Sequence, residues 1–420
     1  MQPNNDNAVL HVMSSFASPV VQTFILREIR QLRDRGLNMV IGEIRPPRKK
    51  ASSQGFEDLL PLVNEASWFS WDLLTAFVFF LMSRPRQMLE CLKILAKGWS
   101  RPSQLWKMTY VLLSAARLSF RLRGMGLELV RATFLHTEAL AAFFIHQFLG
   151  VPYTTTVYTV FVHYPVPVVR GLLQNALFIV ADTHQAKKFV ESFGVSPDRI
   201  EVVHNSVNIG DFPVRSPEIL VSPPTLLAVG RLISKKGFDD LLTACAHLRR
   251  GGAYFRCVIV GDGVERERLL EMRRELCLED AVEMVGNLAS FELVKPWYYK
   301  ASLFVMPSIV DGDGDTDGLP TVVVEAMASG LPIVGTKTGG IPEAVDDGVN
   351  GFLVLEKDPK GMAERILLLL ASPDLQARFG MQSRRIAEAR FSLDRKAEVL
   401  SDIIRSHLGS AFEMHLVPSR

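Results

Sequence analysis

The 420-residue sequence lacks most of the features that mark a function class directly. Its four cysteines (Cys91, Cys245, Cys257 and Cys277) lie far apart, with no CxxC pair. That excludes a disulfide framework or zinc ribbon as the organising principle and fits a reducing compartment. Net charge is only +2, so nothing points to a nucleic-acid partner. The longest apolar run, "LLTAFVFFLM" at 73–82, has ten residues. A bilayer-spanning helix needs about 20. The opening "MQPNNDNAVL" has neither a basic n-region nor an apolar h-region, so no secretory signal is expected. Repeats of 20–50 residues and long low-complexity tracts are also missing.

What remains is a globular balance, 48% apolar and 22% charged, in a chain long enough for two or three domains. The small net charge is unevenly spread. Between Arg84 and Arg131 there are ten Lys/Arg against two acids, a surplus of eight, along with Trp99, Trp106, Tyr110 and Phe120. With "WFSWDLLTAFVFFLM" (68–82) just before it, this stretch suits an anionic membrane surface. The plainer reading is a solvated helix face over an ordinary core.

Periodicity gives a βαβ start: strand 8–14, helix 21–35 stopped by Gly36, strand 38–44. Residues 56–130 interrupt this with helical patterns and no convincing strand, as a helical insertion would. Alternation resumes with helix 137–149, strand 153–160, helix 166–176, strand 176–181, helix 183–193 and strand 199–205. The proline-rich segment 206–224 is expected as an interdomain linker. Strands at 225–231, 256–261, 282–286, 303–308 and 332–336 then alternate with helices of 10–14 residues. Such alternation specifies a second doubly wound sheet. The expected organisation is an N-terminal domain over 1–206, a linker over 207–224 and a C-terminal domain over 225–395. A last helix over 396–420 is expected to pack back on the N-terminal domain. Ligands of open α/β sheets sit at the carboxyl ends of the strands, so the two domains are expected to face one another across a cleft.

Several strand-end segments carry possible chemistry. In "GRLISKKG" (230–237), Arg231 and Lys236 sit between a strand and a helix start, an arrangement that suits a diphosphate. Lys235 is expected to face elsewhere. "VGDGVERERL" (260–269) holds Gly261 and Gly263 but has Arg266 where a dinucleotide fingerprint needs glycine, so a tight turn is the better reading. "DGDGDTDG" (311–318) places Asp313, Asp315, Asp317 and Gly318 at EF-hand spacing, yet the final ligand position is Val324 and a strand precedes it. In "DTDGLPTVVVEAMASGLPIVGT" (315–336), three valines favour strand. A crossover is nevertheless required between two strands, so a helix with Pro320 at its first position is expected. Asp317 and Glu325 then suit sugar hydroxyls on either side of a diphosphate held at the helix start.

These segments together resemble the retaining, nucleotide-sugar-dependent glycosyltransferases of family 4 (group 1), of the GT-B fold. The family signature of two acids separated by seven residues is matched by Asp317-x7-Glu325. The "GR…KG" turn is matched by "GRLISKKG", and "VVHNSVNIGDF" (202–212) is similar to the family's hinge strand. "SPVVQTFILREI" (18–29) and "PVPVVR" (165–170) resemble the exopolysaccharide, colanic-acid-type subgroup.

The resemblance implies two Rossmann-like domains with the helical insertion in the first. It implies that Arg231 and Lys236 stabilise the departing diphosphate, that Glu325 binds ribose and that Asp317 binds the donor sugar. Gly230, Gly261, Asn287, Gly318, Leu319, Pro320 and Thr321 would frame the donor. Tyr158, Ser18 and Gln22 would lie on the acceptor and sugar side. No metal and no cofactor beyond a UDP- or GDP-sugar co-substrate is implied. The expected acceptor is a polysaccharide or lipid-linked glycan, and the expected location is cytoplasmic, peripheral on the inner membrane face. The family's N-terminal motifs are altered. Tyr158 stands at the usual His and Phe161 at the usual Asp, while the upstream HxHF reads "RATF" (131–134). The alternative is therefore a catalytically degenerate GT-B scaffold of a polysaccharide assembly complex. A nucleotide-sugar epimerase ranks third, because the extra carboxylates and His it needs opposite the donor are not found.

Overall fold

A computed structural model describes residues 8–15, 23–45, 56–64, 71–98, 102–158, 164–214, 222–288 and 291–415. These residues divide into two compact units: 8–158, 164–203 and 397–415 in one, 204–396 in the other. In the first, seven parallel strands pair in the order β3-β2-β1-β4-β5-β6-β7. They are β1 (Ala8–Met13), β2 (Asn38–Glu43), β3 (Val63–Asn64), β4 (Leu127–Ala132), β5 (Tyr153–Val157), β6 (Phe178–Ala181) and β7 (Ile200–Val202). Alternate residues of β1 enter opposite cores. Ala8, Leu10 and Val12 face one helical layer. Val9 and Met13 face the other, together with Ile29, Leu400 and Ile404. Both faces are therefore covered, the pattern that parallel sheets require. Leu400 and Ile404 belong to the last helix, Leu393–His415.

The interruption at 56–130 is three helices, Trp71–Ser83, Pro85–Lys97 and Pro102–Leu122, preceded by a short 3₁₀ turn. Two strands within it correct the sequence reading. Val63–Asn64 pairs with Ile41 and Gly42. Leu127–Ala132, "LELVRA", pairs with β1 near the middle of the sheet. Its apolar pattern is broken by Arg131, whose charge is met by Glu28, 103 residues away in sequence.

The second unit holds six parallel strands in the order β10-β9-β8-β11-β12-β13. They are β8 (Thr225–Val229), β9 (Arg256–Val260), β10 (Val282–Gly286), β11 (Leu303–Met306), β12 (Ile333–Thr336) and β13 (Gly351–Val354). Here too the sides alternate: Leu226 and Ala228 enter one core, Leu227 and Val229 the other. The expected linker starts later than the sequence suggests. Val207 donates its backbone N–H to Phe391, and Val207 and Phe212 are buried in the second unit's core. Two apolar anchors override the loop-like composition of 206–212. The segment "TVVVEAMA" is helical, Thr321–Ala328, despite its valines, because Val323 and Val324 are fully buried against that core. Pro320 is its N-cap rather than its first helical residue, with extended backbone at ψ 122°. Among the described residues, no helix is long and apolar enough to cross a membrane.

Candidate functional site

Strand order locates the site. In the second sheet β8 lies between β9 and β11, so the chain winds outward in opposite directions from the β8–β11 boundary. Ligands of doubly wound sheets bind beyond the carboxyl ends at such a switch point. The loops leaving these two strands are 230–237 and 307–320, the two segments with the most pronounced charge patterns.

They meet through ion pairs. The Lys236 Nζ lies 2.8 Å from Oδ2 of Asp317, and the lysine is only 8% exposed. The Ser308 hydroxyl donates to the same Oδ2 at 2.7 Å. Lys235 does not turn away as expected. It donates to Asp315 Oδ2 at 2.9 Å and to the Thr316 carbonyl at 3.3 Å, and lies 3.9 Å from Asp317 Oδ1. Both adjacent lysines therefore converge on the acidic loop, and two of the three aspartates that mimic a calcium motif, Asp315 and Asp317, are met by ammonium groups. Arg231 is exposed, and its guanidinium has no side-chain partner among the described residues.

The backbone around this cluster is tightly set. Gly261 adopts φ +150°, and a Cβ there would stand 1.8 Å from the Gly230 carbonyl oxygen. Only glycine lets the loops after β8 and β9 cross so closely, so the GDG segment acts as a tight turn. Gly339 adopts φ +60°, and a Cβ on it would stand 2.0 Å from the Asp317 carbonyl. Gly340 donates its N–H to the Gly318 carbonyl at 3.0 Å. The "TKTGG" loop after β12 thus pins residues 317–318 from behind and fixes the approach to the helix start. Thr336 contributes as well, its hydroxyl donating to the Ser308 carbonyl at 2.5 Å.

Helix Thr321–Ala328 begins here, with Pro320 extended and Thr321 exposed at its tip. The first backbone N–H groups of a helix have no partner within it and favour anions. Leu319 is buried and Gly318 half-buried. Glu325, one turn on, is half-buried, and its Oε2 accepts a 2.6 Å hydrogen bond from the Tyr298 hydroxyl. Tyr298 is fully buried. Burial and the adjacent carboxylate push its phenol well above the ordinary range, so it remains a donor to Glu325.

The structure thus gathers Gly230, Lys236, Asp317, Gly318, Leu319 and Pro320 at the β8–β11 boundary, with Glu325 on the helix that starts there. Gly261 acts there through packing. Asn287 follows β10, two strands away from β8, and is exposed. Tyr158 belongs to the first unit, just after β5, and packs edge-on to Phe24 with ring centroids 6.1 Å apart. Its ring centroid lies 5.5 Å from that of Phe134. Ser18 and Gln22 lie outside the described residues. Sequence reasoning missed Tyr298, Ser308, Lys235 and Asp315. The first two carry no local signal, because their partners are 27 and 9 residues away.

Residues 214–386 match the family model of glycosyl transferases group 1. That stretch, less than half of the chain, is similar to the group 1 glycosyl transferases. The group 1 domain takes in every residue of the cluster described above. A candidate colanic acid biosynthesis glycosyltransferase, WcaL of Salmonella typhimurium, is 38% identical over 177 residues, 42% of this chain and 43% of that protein. The amylovoran biosynthesis glycosyltransferase AmsK of Erwinia amylovora is 32% identical over 200 residues, 48% and 49% respectively. The chain thus spans about half the length of the curated relatives it matches. Among solved structures, HepE of Anabaena in complex with UDP aligns with a TM-score of 0.69 at 18% identity, over 95% of this chain and all of that one. A sucrose-phosphate synthase from Thermosynechococcus elongatus gives 0.71 at 16%, over 96% of this chain and 100% of that one. At such identities the likeness speaks for the fold, which is GT-B: two Rossmann-like units, each with a parallel sheet.

Proposed function

We propose that the protein moves a sugar from a nucleoside-diphosphate sugar to a polysaccharide or lipid-linked glycan, with retention of anomeric configuration. The observation that carries this reading is the charged cluster at the β8–β11 switch point. Lys235 and Lys236 are paired with Asp315 and Asp317, and Arg231, on the same loop as the lysines, is exposed with no side-chain partner among the described residues. An incoming diphosphate meets the Arg231 guanidinium, the first N–H groups of the helix and the Lys236 ammonium. That ammonium has three donors, and its contact with Asp317 uses one. As the sugar C1–O bond breaks, negative charge grows on the departing phosphate oxygen, where these donors stabilise it most. The acceptor hydroxyl attacks C1 from the same face and gives its proton to the departing phosphate, so no side-chain nucleophile is needed. Asp317 is held by Lys236 and Ser308 in position for a donor-sugar hydroxyl, and Glu325, oriented by Tyr298, takes the ribose. Gly230, Gly318, Leu319, Pro320 and Thr321 frame the phosphates, with Asn287 and Gly261 further out. Tyr158, Ser18 and Gln22 remain assigned to the acceptor and sugar side. The donor is a co-substrate, and the reaction as written uses no metal or organic cofactor.

Colanic acid and amylovoran in the names of the relatives support an exopolysaccharide-type acceptor. UDP and UDP-glucose complexes of the Anabaena protein support a nucleotide-sugar donor. A lipid-linked acceptor goes with a peripheral position on the cytoplasmic membrane face. Incubation with a panel of radiolabelled UDP- and GDP-sugars tests the reading. Slow release of sugar from at least one donor, abolished by Lys236→Ala, is expected. Nucleoside-diphosphate binding without turnover of any donor, with acceptor extracts present, would replace the transferase with a scaffold.

A further inference from the structure

The outward face of helix Trp71–Ser83 is apolar where a water-facing helix should be polar. Leu73, Ala76 and Phe80 face the core. The opposite half carries Trp71, Leu74, Val78, Phe79, Leu81 and Met82, exposed by 40 to 81%. A helix that is apolar all round is normally buried, and this one is buried on one side only. The polar groups on its open side are already satisfied. The Thr75 hydroxyl donates to the Trp71 carbonyl, and the Ser83 hydroxyl to the Phe79 carbonyl. Asp72 is paired with Arg121 at 3.1 Å. Polar side chains on that helix are thus few, and each has a partner.

The neighbouring helices continue the pattern with added charge. Pro85–Lys97 exposes Leu89 and Leu92, with Arg86, Lys93 and Lys97 on the same helix. Trp106, on the helix packed against Trp71–Ser83, is 65% exposed. Arg123 lies over the Phe79 and Phe120 rings at 5.0 and 3.6 Å. Residues 71–123 contain nine Lys/Arg and two acids. Both acids are already paired, Asp72 with Arg121 and Glu90 with Lys93. Arg117 is buried, so the basic face is narrower than the sequence suggests and centres on the hairpin 71–97 with Trp106.

From this the geometry points to one occupant: the surface of an anionic lipid bilayer, with helix Trp71–Ser83 lying in the interface plane. Thirteen residues give a helix of about 20 Å, too short to cross a membrane but able to bury one side among acyl chains. Trp71 and Trp106 suit the headgroup boundary, and the lysine and arginine stems can reach back to anionic headgroups. The same face of a second copy of this chain would set surplus positive charge against surplus positive charge. This assignment specifies the face behind the membrane position proposed above. It stands on the surface of the helices, independently of the donor site.

The test is co-sedimentation of the full chain with vesicles of phosphatidylcholine alone or with about three-tenths phosphatidylglycerol. Partitioning onto the anionic vesicles is expected to be at least tenfold stronger, and to fall at least tenfold from about 0.05 M to about 0.5 M salt. Trp71 and Trp106 emission should shift to the blue on binding. Leu74→Glu with Met82→Glu should abolish binding, and Arg84→Glu with Arg86→Glu should remove the preference for anionic lipid. Both double variants should bind nucleoside diphosphate as the parent does, which separates failure here from failure of the transferase reading. Equal partitioning onto neutral and anionic vesicles would overturn the assignment. So would a dimer that Leu74→Glu with Met82→Glu converts to monomer while the parent ignores vesicles.

Discussion

The two sheets share a winding pattern and differ in what they place at the point where it reverses. In the second unit the β8–β11 boundary sets three cations on one loop against four acids on the other, part-exposed, and among the described residues Arg231 has no side-chain partner. In the first unit the equivalent boundary lies between β1 and β4, and its described charged residues are buried. His11 on β1 is fully buried, its Nε2 2.7 Å from the Thr133 hydroxyl. Arg131 on β4 pairs with Glu28 at 2.8 Å, both side chains inaccessible. Glu138 is buried against the Ser14 hydroxyl. Burial, and then the Arg131 charge, lowers the His11 pKa to about 3, while Glu28 opposes the shift. Burial raises that of Glu138. One topology thus carries two arrangements: an edge where paired charges and Arg231 reach a part-exposed surface, and an edge where the charges of the described residues are neutralised or locked in buried pairs.

The sharpest way to break that contrast is Arg131→Met. It takes from the buried Glu28 carboxylate the arginine it pairs with and should cost about 3–5 kcal/mol in a urea melt. Nucleoside-diphosphate affinity of the protein that remains folded should change less than twofold. A loss under about 1 kcal/mol would mean that the charges of the first edge are not locked in a buried pair.

Acid should act next most strongly, and on the first unit. The His11 pKa is lower folded than unfolded, so its contribution is fully present above the unfolded value near 6.5 and is lost as pH falls toward 3. At pH 4.5 the loss is roughly 2–3 kcal/mol. The raised Glu138 pKa runs the other way, its penalty easing as pH falls toward 4.5, so the His11 effect is best read as a difference. Between pH 6.5 and 4.5, His11→Asn should show a visibly flatter decline in Tm than the parent. Parallel slopes would contradict the assignment.

In the second unit, Lys236→Ala and Glu325→Ala should each reduce sugar transfer at least tenfold while the fold persists. Each deletes a polar contact worth about 1.5–3 kcal/mol. Unchanged kinetics in both variants would dismiss the cluster as structural. Tyr298→Phe should have the smallest effect, about fivefold in donor KM, through the loss of one hydrogen bond of about 1 kcal/mol to Glu325. A change in kcat alone would show that Tyr298 serves the reacting centre instead.

How much was legible follows the same divide. The strands of the second sheet read directly, because β8, β9, β11 and β12 are short apolar runs between turns. Arg231 and Lys236, the cations proposed to meet a diphosphate, could be picked out from position alone, just after a strand and before a helix. In the first unit β4 was missed, because "LELVRA" shows an arginine whose compensation, Glu28, lies on a distant helix. Pairings such as Lys236–Asp317 and Tyr298–Glu325 were equally hidden, since local spacing says nothing about which loops the topology brings together. Segment 207–212 was misread for the opposite reason: its composition is loop-like, and two buried side chains decide where it packs.

The central claim is that Arg231, Lys236 and the start of helix Thr321–Ala328 clasp a pyrophosphate. Isothermal titration of the intact protein with UDP and GDP tests it most directly. Saturable binding of at least one of them, weakened at least tenfold by Lys236→Ala, is the expected result. No detectable heat with either nucleotide over a range of temperatures, from protein shown to be folded, would contradict it.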